Sequence, residues 1–421
     1  MTSNATPFRA YQDLLFSEIQ PAIGCTEPVA IAFCASAAAE GLGAPVQRLA
    51  AEVSGYILKN GMHVGIPGTH GLTGVPLAAA IGSLLQHSNL EMEIFSAVTQ
   101  DVVSQAQRML RQGDVTVRAA DTAEKVLIDV RAFDAEGHCS RAVVQGAHTH
   151  LVLLEYDSKP MYKAPYQAET VLERPDICLE EIYTFCTEVP LDVLLPLEKV
   201  IQVNTEVARY GLTEECGLSV GRASEADKTV SFVAAAVDAR MAGCTLPVMT
   251  NMGSGNQGLV ASLPLVEMSR QQGSTREQLL RALALSELVA MDVKLHIGRL
   301  SVLCGCCISA GIGAACGMTM LLGGGWKQIE YAFQTMAADV AGVICDGAKP
   351  GCALKAATAI SAAERAAHLA LKNGLACGHY GIVAQRPEKT LEHLAALGKE
   401  GMAGSNEQIL RFMLEEVANP S

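Results

Sequence analysis

The chain has 421 residues, half of them hydrophobic but only 5% aromatic, and a formal charge of −13 from 31 basic and 44 acidic side chains. That length supports a sizeable core and two or three domains, while scattered and outnumbered Lys and Arg argue against nucleic acid as a partner. A core so poor in rings must be built from Ala, Val, Leu, Ile and Met, with 38 glycines letting backbones approach closely.

The opening MTSNATPFRAYQDLL lacks the basic-then-apolar order of a secretory signal, so the expected location is the cytoplasm. Most of the 14 cysteines should be reduced there, and a dense thiol cluster points to metal binding or catalysis rather than to disulfides. Residues 11–40 read as helical, interrupted by PAIGCTEP at Pro21–Pro28 and ended by Gly41 after an alanine-rich run. Residues 48–68, RLAAEVSGYILKNGMHVGIPG, read as strand pieces separated by an Asn-Gly turn at Asn60 and Gly61; PLAAAIGSLLQH then reads as a helix.

Residues 124–157 alternate apolar and polar side chains around a turn at Ala135–Gly137, which predicts two or more strands paired with the earlier strand material. SKPMYKAPYQ, with Pro160 and Pro165, is the best linker candidate. Helical patterns dominate from Leu179 onward. The fold class is therefore α+β: a small mixed α/β domain over residues 1–165 that carries Cys25, and a larger, mainly helical domain over residues 166–421. Ser301–Trp326 carries no charge and could span a bilayer by length. More than half of it is Gly, Ala, Ser and Cys and it has no companion span, so a buried helix or hairpin is the reading, not a membrane protein. Trp326 should pack at the end of that run.

Two segments gather thiols. LCGCCISAGIGAACG supplies Cys304, Cys306, Cys307 and Cys316, and VICDGAKPGCALK supplies Cys345 and Cys352 around a tight Gly-Ala-Lys-Pro-Gly turn. Thiolates on glycine turns suit an iron-sulfur cluster, because glycine lets the backbone wrap the cubane and offer it N–H groups. Zinc is the metal rival, but the CxxC spacing of Cys304 and Cys307 has no second such pair or Cys/His knuckle to complete a usual zinc site. Cys34, Cys178, Cys186, Cys216, Cys244 and Cys316 read as small buried hydrophobes. Cys25 opens a helix, where spare N–H groups and the positive dipole end favour a thiolate. His148–His150, HTH, read as a solvated strand face, and Cys377–Tyr380, CGHY, as a helix stop with no role.

The segments PAIGCTEPVAIAF, GTHGLTGVPLAAAIG, TNMGSGNQG, CGCCISAGIGAACG and CDGAKPGCALK together resemble the L-cysteine desulfidase family, a relative of the iron-sulfur L-serine dehydratases. The resemblance runs from Pro21 to beyond Cys352. It implies a [4Fe-4S] cluster held by Cys306, Cys345 and Cys352, with Cys304 and Cys307 as alternatives to Cys306, and one iron left open for substrate. It also implies β-elimination of L-cysteine to hydrogen sulfide, ammonia and pyruvate. Cys25 is expected to face the open iron, as a base of lowered pKa or as a resting ligand, and Glu27 either orients it or is a first-turn carboxylate.

In TNMGSGNQG, Asn251, Gly253, Ser254, Gly255 and Asn256 are expected to cradle the substrate carboxylate at a helix start, with Thr69 and His70 in the substrate pocket. Lys349 and Lys355 either steer an anion or lie on a solvated helix face. The partner is a small amino acid, and assembly into a homo-oligomer stays open. The rivals are an iron-sulfur L-serine dehydratase, a pyridoxal-phosphate lyase and a non-catalytic cysteine-rich metal or redox sensor.

Overall fold

A computed structural model describes residues 8–164, 177–374 and 381–418. Its first part holds the helices α1 (Arg9–Glu18), α2 (Thr26–Leu42), α3 (Gly55–Gly61), α4 (Val75–Leu85) and α5 (Gln100–Gln112), with the short strand β1 (Pro21–Ala22). The sheet is built from β2 (Arg48–Val53), β3 (Val115–Ala119), β4 (Leu127–Phe133), β5 (Cys139–Gln145), β6 (Leu151–Tyr156) and β7 (Lys159–Lys163). Its order is β3-β2-β4-β5-β6-β7, antiparallel except for the parallel β2–β3 pair. The alternation over residues 124–157 is thus realised as β4, β5 and β6, with β2 as the earlier partner.

The rest is helical: α6 (Leu179–Glu188), α7 (Leu191–Leu194), α8 (Leu197–Thr213), α9 (Val220–Ala223), α10 (Lys228–Met241), α11 (Gly255–Gln272) and α12 (Arg276–Ile297). Then follow α13 (Ser309–Leu321), α14 (Trp326–Val340), α15 (Cys352–Leu371), α16 (Pro387–Ala396) and α17 (Ser405–Ala418). The two-residue strand β8 (Val248–Met249) lies between α10 and α11 and pairs antiparallel with β1. The α+β class holds, with the sheet confined to the first part and the larger part helical.

Two apolar clusters form the core. One joins the sheet to α2 and α4; the other is helical and also takes in Tyr11 and Leu15 of α1 and Ile19 just after it. Small residues set the packing distance. A Cβ on Gly82 of α4 would lie 2.1 Å from the Ala32 carbonyl oxygen of α2, so these helices touch backbone to backbone. α2 runs one residue past Gly41, whose bare Cα packs on Ser140 and Leu154, and ends at Gly43 with φ +67°. Within Ser301–Trp326, α13 is buried at almost every residue. Trp326 opens α14, with its ring 5.9 Å from that of Tyr183. Among the described residues no helix is long and apolar enough to cross a membrane.

Two local expectations are corrected. Asn60 and Gly61 form no turn between strands but end α3, because Lys59 and Asn60 are buried and find tertiary partners that favour the helix. In the proposed linker, Lys159–Lys163 are hydrogen-bonded to β6 as β7, with Pro160 on the exposed sheet edge where its missing N–H costs nothing; Pro165 and Cys377–Tyr380 lie outside the described residues.

Candidate active site

Strand pairing explains how distant motifs meet. β1 pairs with β8, and two further bonds, Thr250 N–H to the Gln20 carbonyl at 2.8 Å and Met252 N–H to Glu18 at 3.0 Å, hold the Cys25 segment against the TNMGSGNQG loop. A second short pairing joins the two cysteine motifs. Cys304 N–H donates to Val343 O at 2.9 Å, and Cys345 N–H to Val302 O at 2.6 Å. One cavity of about 180 Å³ opens between them, lined by Cys25, Cys304, Cys306, Cys345 and Cys352 together with Glu27, Asn60, His148, Arg240 and Lys294.

The cavity is electropositive by construction. Cys25 is the N-cap of α2, Ser254 the N-cap of α11 and Cys352 the first residue of α15, so three helix N-termini converge on it. Lys294 and Arg240 are buried beside it. Lys59, also buried, donates to the Cys345 carbonyl at 3.0 Å and to Asn406 Oδ1 at 2.6 Å. Lys349 and Lys355 both bond to Asp346 within the cysteine turn, and Lys355 also donates to Ile344 O at 2.8 Å. They shape that turn and neutralise its acid.

The thiols differ in state. Cys304 and Cys306 lie 3.4 Å apart, sulfur to sulfur. The bond between them, set against burial, draws one thiol of the pair down to about 6, helped by Lys355 and Lys294, and pushes the other well up. Cys307 is fully buried off the cavity. Burial raises the Cys25 thiol, with Arg240 pulling it back and Glu27 adding to the rise. This corrects the expectation of a lowered pKa, since at this helix start desolvation outweighs the dipole.

Glu27 is buried and accepts from Asn60 Nδ2 at 2.9 Å and from Thr26 Oγ1 at 3.0 Å. Of the glycine loop, Gly253, Ser254 and Asn256 line the cavity. Asn251 lies behind it, donating to Glu287 Oε2 at 2.6 Å and accepting from Gln257. Gly255 packs on Arg240, where a Cβ would come 2.3 Å from Nε. Thr69 and His70 are not brought to the cavity lining: the Thr69 hydroxyl closes its own turn on Ile66 O at 2.6 Å, and His70 sits exposed at φ +57°.

The lining also includes polar residues that are not among the sites expected from sequence, chief among them His148, Arg240 and Lys294. His148 reaches the cavity from the β5–β6 turn rather than a strand face, and Arg240 and Lys294 come from α10 and α12. Arg240 donates to Asn256 Oδ1 at 3.0 Å and to Gly24 O at 2.8 Å, with no ion pair to a carboxylate within the described residues. Its Nε, His148 Nε2, Asn60 Oδ1 and Gln257 Oε1 are buried without a hydrogen-bond partner among the described residues. Buried polar atoms are nearly always satisfied, so such a concentration marks a place for a polar ligand.

The donor set also fits an iron-sulfur cubane. Within the described residues no three His, Cys, Asp or Glu side chains close on a single metal ion. Cubane ligands, however, each bind a different iron and stand further apart than the ligands of one ion. Soft thiols on glycine turns under positive helix ends suit that arrangement.

Residues 89–411 match the family described as serine dehydratase alpha chain, which makes this protein a lyase of the dehydratase type. The chain belongs to that family, in general one of iron-sulfur enzymes. It is similar along nearly all of its length to UPF0597 proteins. That of Oleidesulfovibrio alaskensis is 38% identical over 96% of this chain and 98% of its own. One from Bacteroides fragilis is 36% identical over 95% and 96%, and one from Clostridium perfringens 36% identical over 97% and 99%. The family match begins after Cys25, so the thiol at the start of α2 falls within the reach of the full-length relatives alone.

Proposed function

We propose that the protein eliminates hydrogen sulfide from L-cysteine, leaving aminoacrylate that hydrolyses to ammonia and pyruvate. The observation that supports this best is the cavity itself: thiols from three distant segments face a buried guanidinium that has no carboxylate partner within the described residues. Cys306, Cys345 and Cys352 would hold a [4Fe-4S] cluster, with Cys304 as the alternative to Cys306. When bound, that group supplies an open iron as a soft Lewis acid for the departing sulfur.

The chain's own residues bind and orient the amino acid. Arg240, aided by Asn256 and the α11 N-terminus capped by Ser254, takes the α-carboxylate, and a guanidinium offers it a two-pronged grip. Glu27, fixed by Asn60 and Thr26, attracts the ammonium. Cys25, kept protonated by burial, donates a hydrogen bond toward the leaving sulfur rather than acting as base. Exclusion of water strengthens each of these contacts. A thiol, with a pKa of about 8.5, leaves far more readily than hydroxide, whose conjugate acid sits near about 15.7.

The family's description favours a second reading, dehydration of L-serine by the same residues. Parallel assays of sulfide and pyruvate release from L-cysteine and of pyruvate release from L-serine separate the two. We expect L-cysteine to win by a wide margin in kcat/KM; the reverse order overturns the proposal.

A further inference from the structure

We propose that His148 is the base that takes the Cα proton of the amino-acid substrate, and that it hands that proton to the departing hydrosulfide. This rests on the β-elimination reading above. His148 lies in the turn between β5 and β6, in the sheet part of the chain, yet it lines the same cavity as the cysteines of the helical part. Its Nε2 is shut off from solvent and has no hydrogen-bond partner among the described residues. A buried ring nitrogen left unpaired is costly unless a ligand meets it.

Two charged groups face the ring, Glu27 from the start of α2 and Arg299 from the segment after α12. Both are engaged elsewhere. Glu27 accepts from Asn60 and Thr26, and Arg299 forms a two-pronged ion pair with Glu18. Burial lowers the imidazole's pKa, Glu27 raises it and Arg299 lowers it, with a net lowering, so the ring is neutral at neutral pH and free to accept a proton. The other candidate is less suited, because burial holds the Cys25 thiol protonated.

The step balances without an oxidant or reductant. The Cα–H bond breaks and its proton goes to His148 Nε2. The freed electron pair forms the Cα=Cβ bond as the Cβ–S pair leaves with sulfur. The imidazolium then protonates the hydrosulfide, releasing hydrogen sulfide and restoring the neutral ring.

The test uses the cluster-loaded enzyme with His148→Asn and His148→Gly. We expect kcat for L-cysteine to fall on the order of 10²–10⁴-fold, the range of general-base catalysis, with KM changed by no more than about threefold and iron content equal to wild type. Added imidazole should restore part of the His148→Gly rate in proportion to its free-base fraction. In the cluster-free chain, NMR titration should find the His148 ring below its ordinary pKa. A fully iron-loaded His148→Asn enzyme with kcat within about threefold of wild type overturns the proposal. Parallel loss of iron and activity, without imidazole rescue, makes the histidine a structural prop and overturns it equally. A loaded wild type that releases no sulfide refutes instead the elimination reading beneath it.

Discussion

Replacing Arg240 tests how the cavity recognises an amino acid. Arg240 is 4% exposed, and its guanidinium is fixed by Asn256 and Gly24 at 3.0 and 2.8 Å, with no carboxylate partner within the described residues. Each hydrogen bond to a charged group contributes about 1.5–3 kcal/mol, so Arg240→Lys, which keeps the charge but loses the fork, should cost on the order of 10–10²-fold in kcat/KM for L-cysteine. Arg240→Met removes one partner of a buried charge pair, a loss of about 3–5 kcal/mol or at least 10²-fold. Gly255→Ala should do part of the same damage without touching the charge, since its Cβ would meet Arg240 Nε at 2.3 Å.

The assay is steady-state sulfide release from L-cysteine and from its ethyl ester, which lacks the carboxylate charge. Wild type should discriminate strongly against the ester, and Arg240→Met should lose that discrimination. If Arg240→Met keeps its full iron content, the wild-type KM and the same preference for the free acid, the carboxylate is held elsewhere and the reasoning fails.

Other outcomes follow from the same geometry. Burial pushes the Glu287 carboxyl up to about 8, against the Asn251 bond that lowers it. Its folded pKa lies above the unfolded one, so its contribution to stability is complete below about 4.3 and is lost as pH rises through about 8. Glu287→Gln should therefore flatten the fall in Tm between pH 5 and 9, and an unchanged pH slope would refute this placement. Cys307→Ala should keep the cluster's absorbance and iron, because Cys307 lies off the cavity, whereas Cys345→Ala and Cys352→Ala should lose both. A colourless Cys307→Ala protein would refute the ligand set. Gly82→Ala forces a contact of 2.1 Å on the Ala32 carbonyl and should destabilise by about 1–3 kcal/mol despite alanine's better helix propensity, seen as an earlier melt; an unchanged Tm would mean α2 and α4 can part at no cost.

Much of this is legible in the sequence where patterns are local. The period-two alternation of residues 124–157 marks β4 to β6, and the glycine-bounded thiol runs mark the Cys304–Cys352 region, because both depend on neighbours along the chain. α3 is hidden because its helicity depends on distant partners for Lys59 and Asn60, Asn406 and Glu27, against an Asn-Gly pair that reads locally as a turn. His148 reads as a solvated strand residue for a similar reason. Nothing in HTH says that the β5–β6 turn brings His148 to a cavity shared with the cysteines of the helical part.

Arg240 and Lys294 do leave a trace. FVAAAVDARMAG and LVAMDVKLHI are apolar around the whole helix, with no solvated face, so a charge inside such a run must be buried. A buried charged group needs a polar partner, so each of these two stands out within its run. Thr69 and His70 illustrate the opposite case, where a motif matches the family pattern but the Thr69 hydroxyl serves its own turn and His70 is exposed.

The most direct measurement is anaerobic purification followed by iron and acid-labile sulfide analysis and an assay with L-cysteine. The account predicts a brown protein with about four iron and four sulfide per chain, releasing equal amounts of sulfide and pyruvate, with both activity and colour lost on chelation. A colourless, iron-free chain that still cleaves L-cysteine would contradict it.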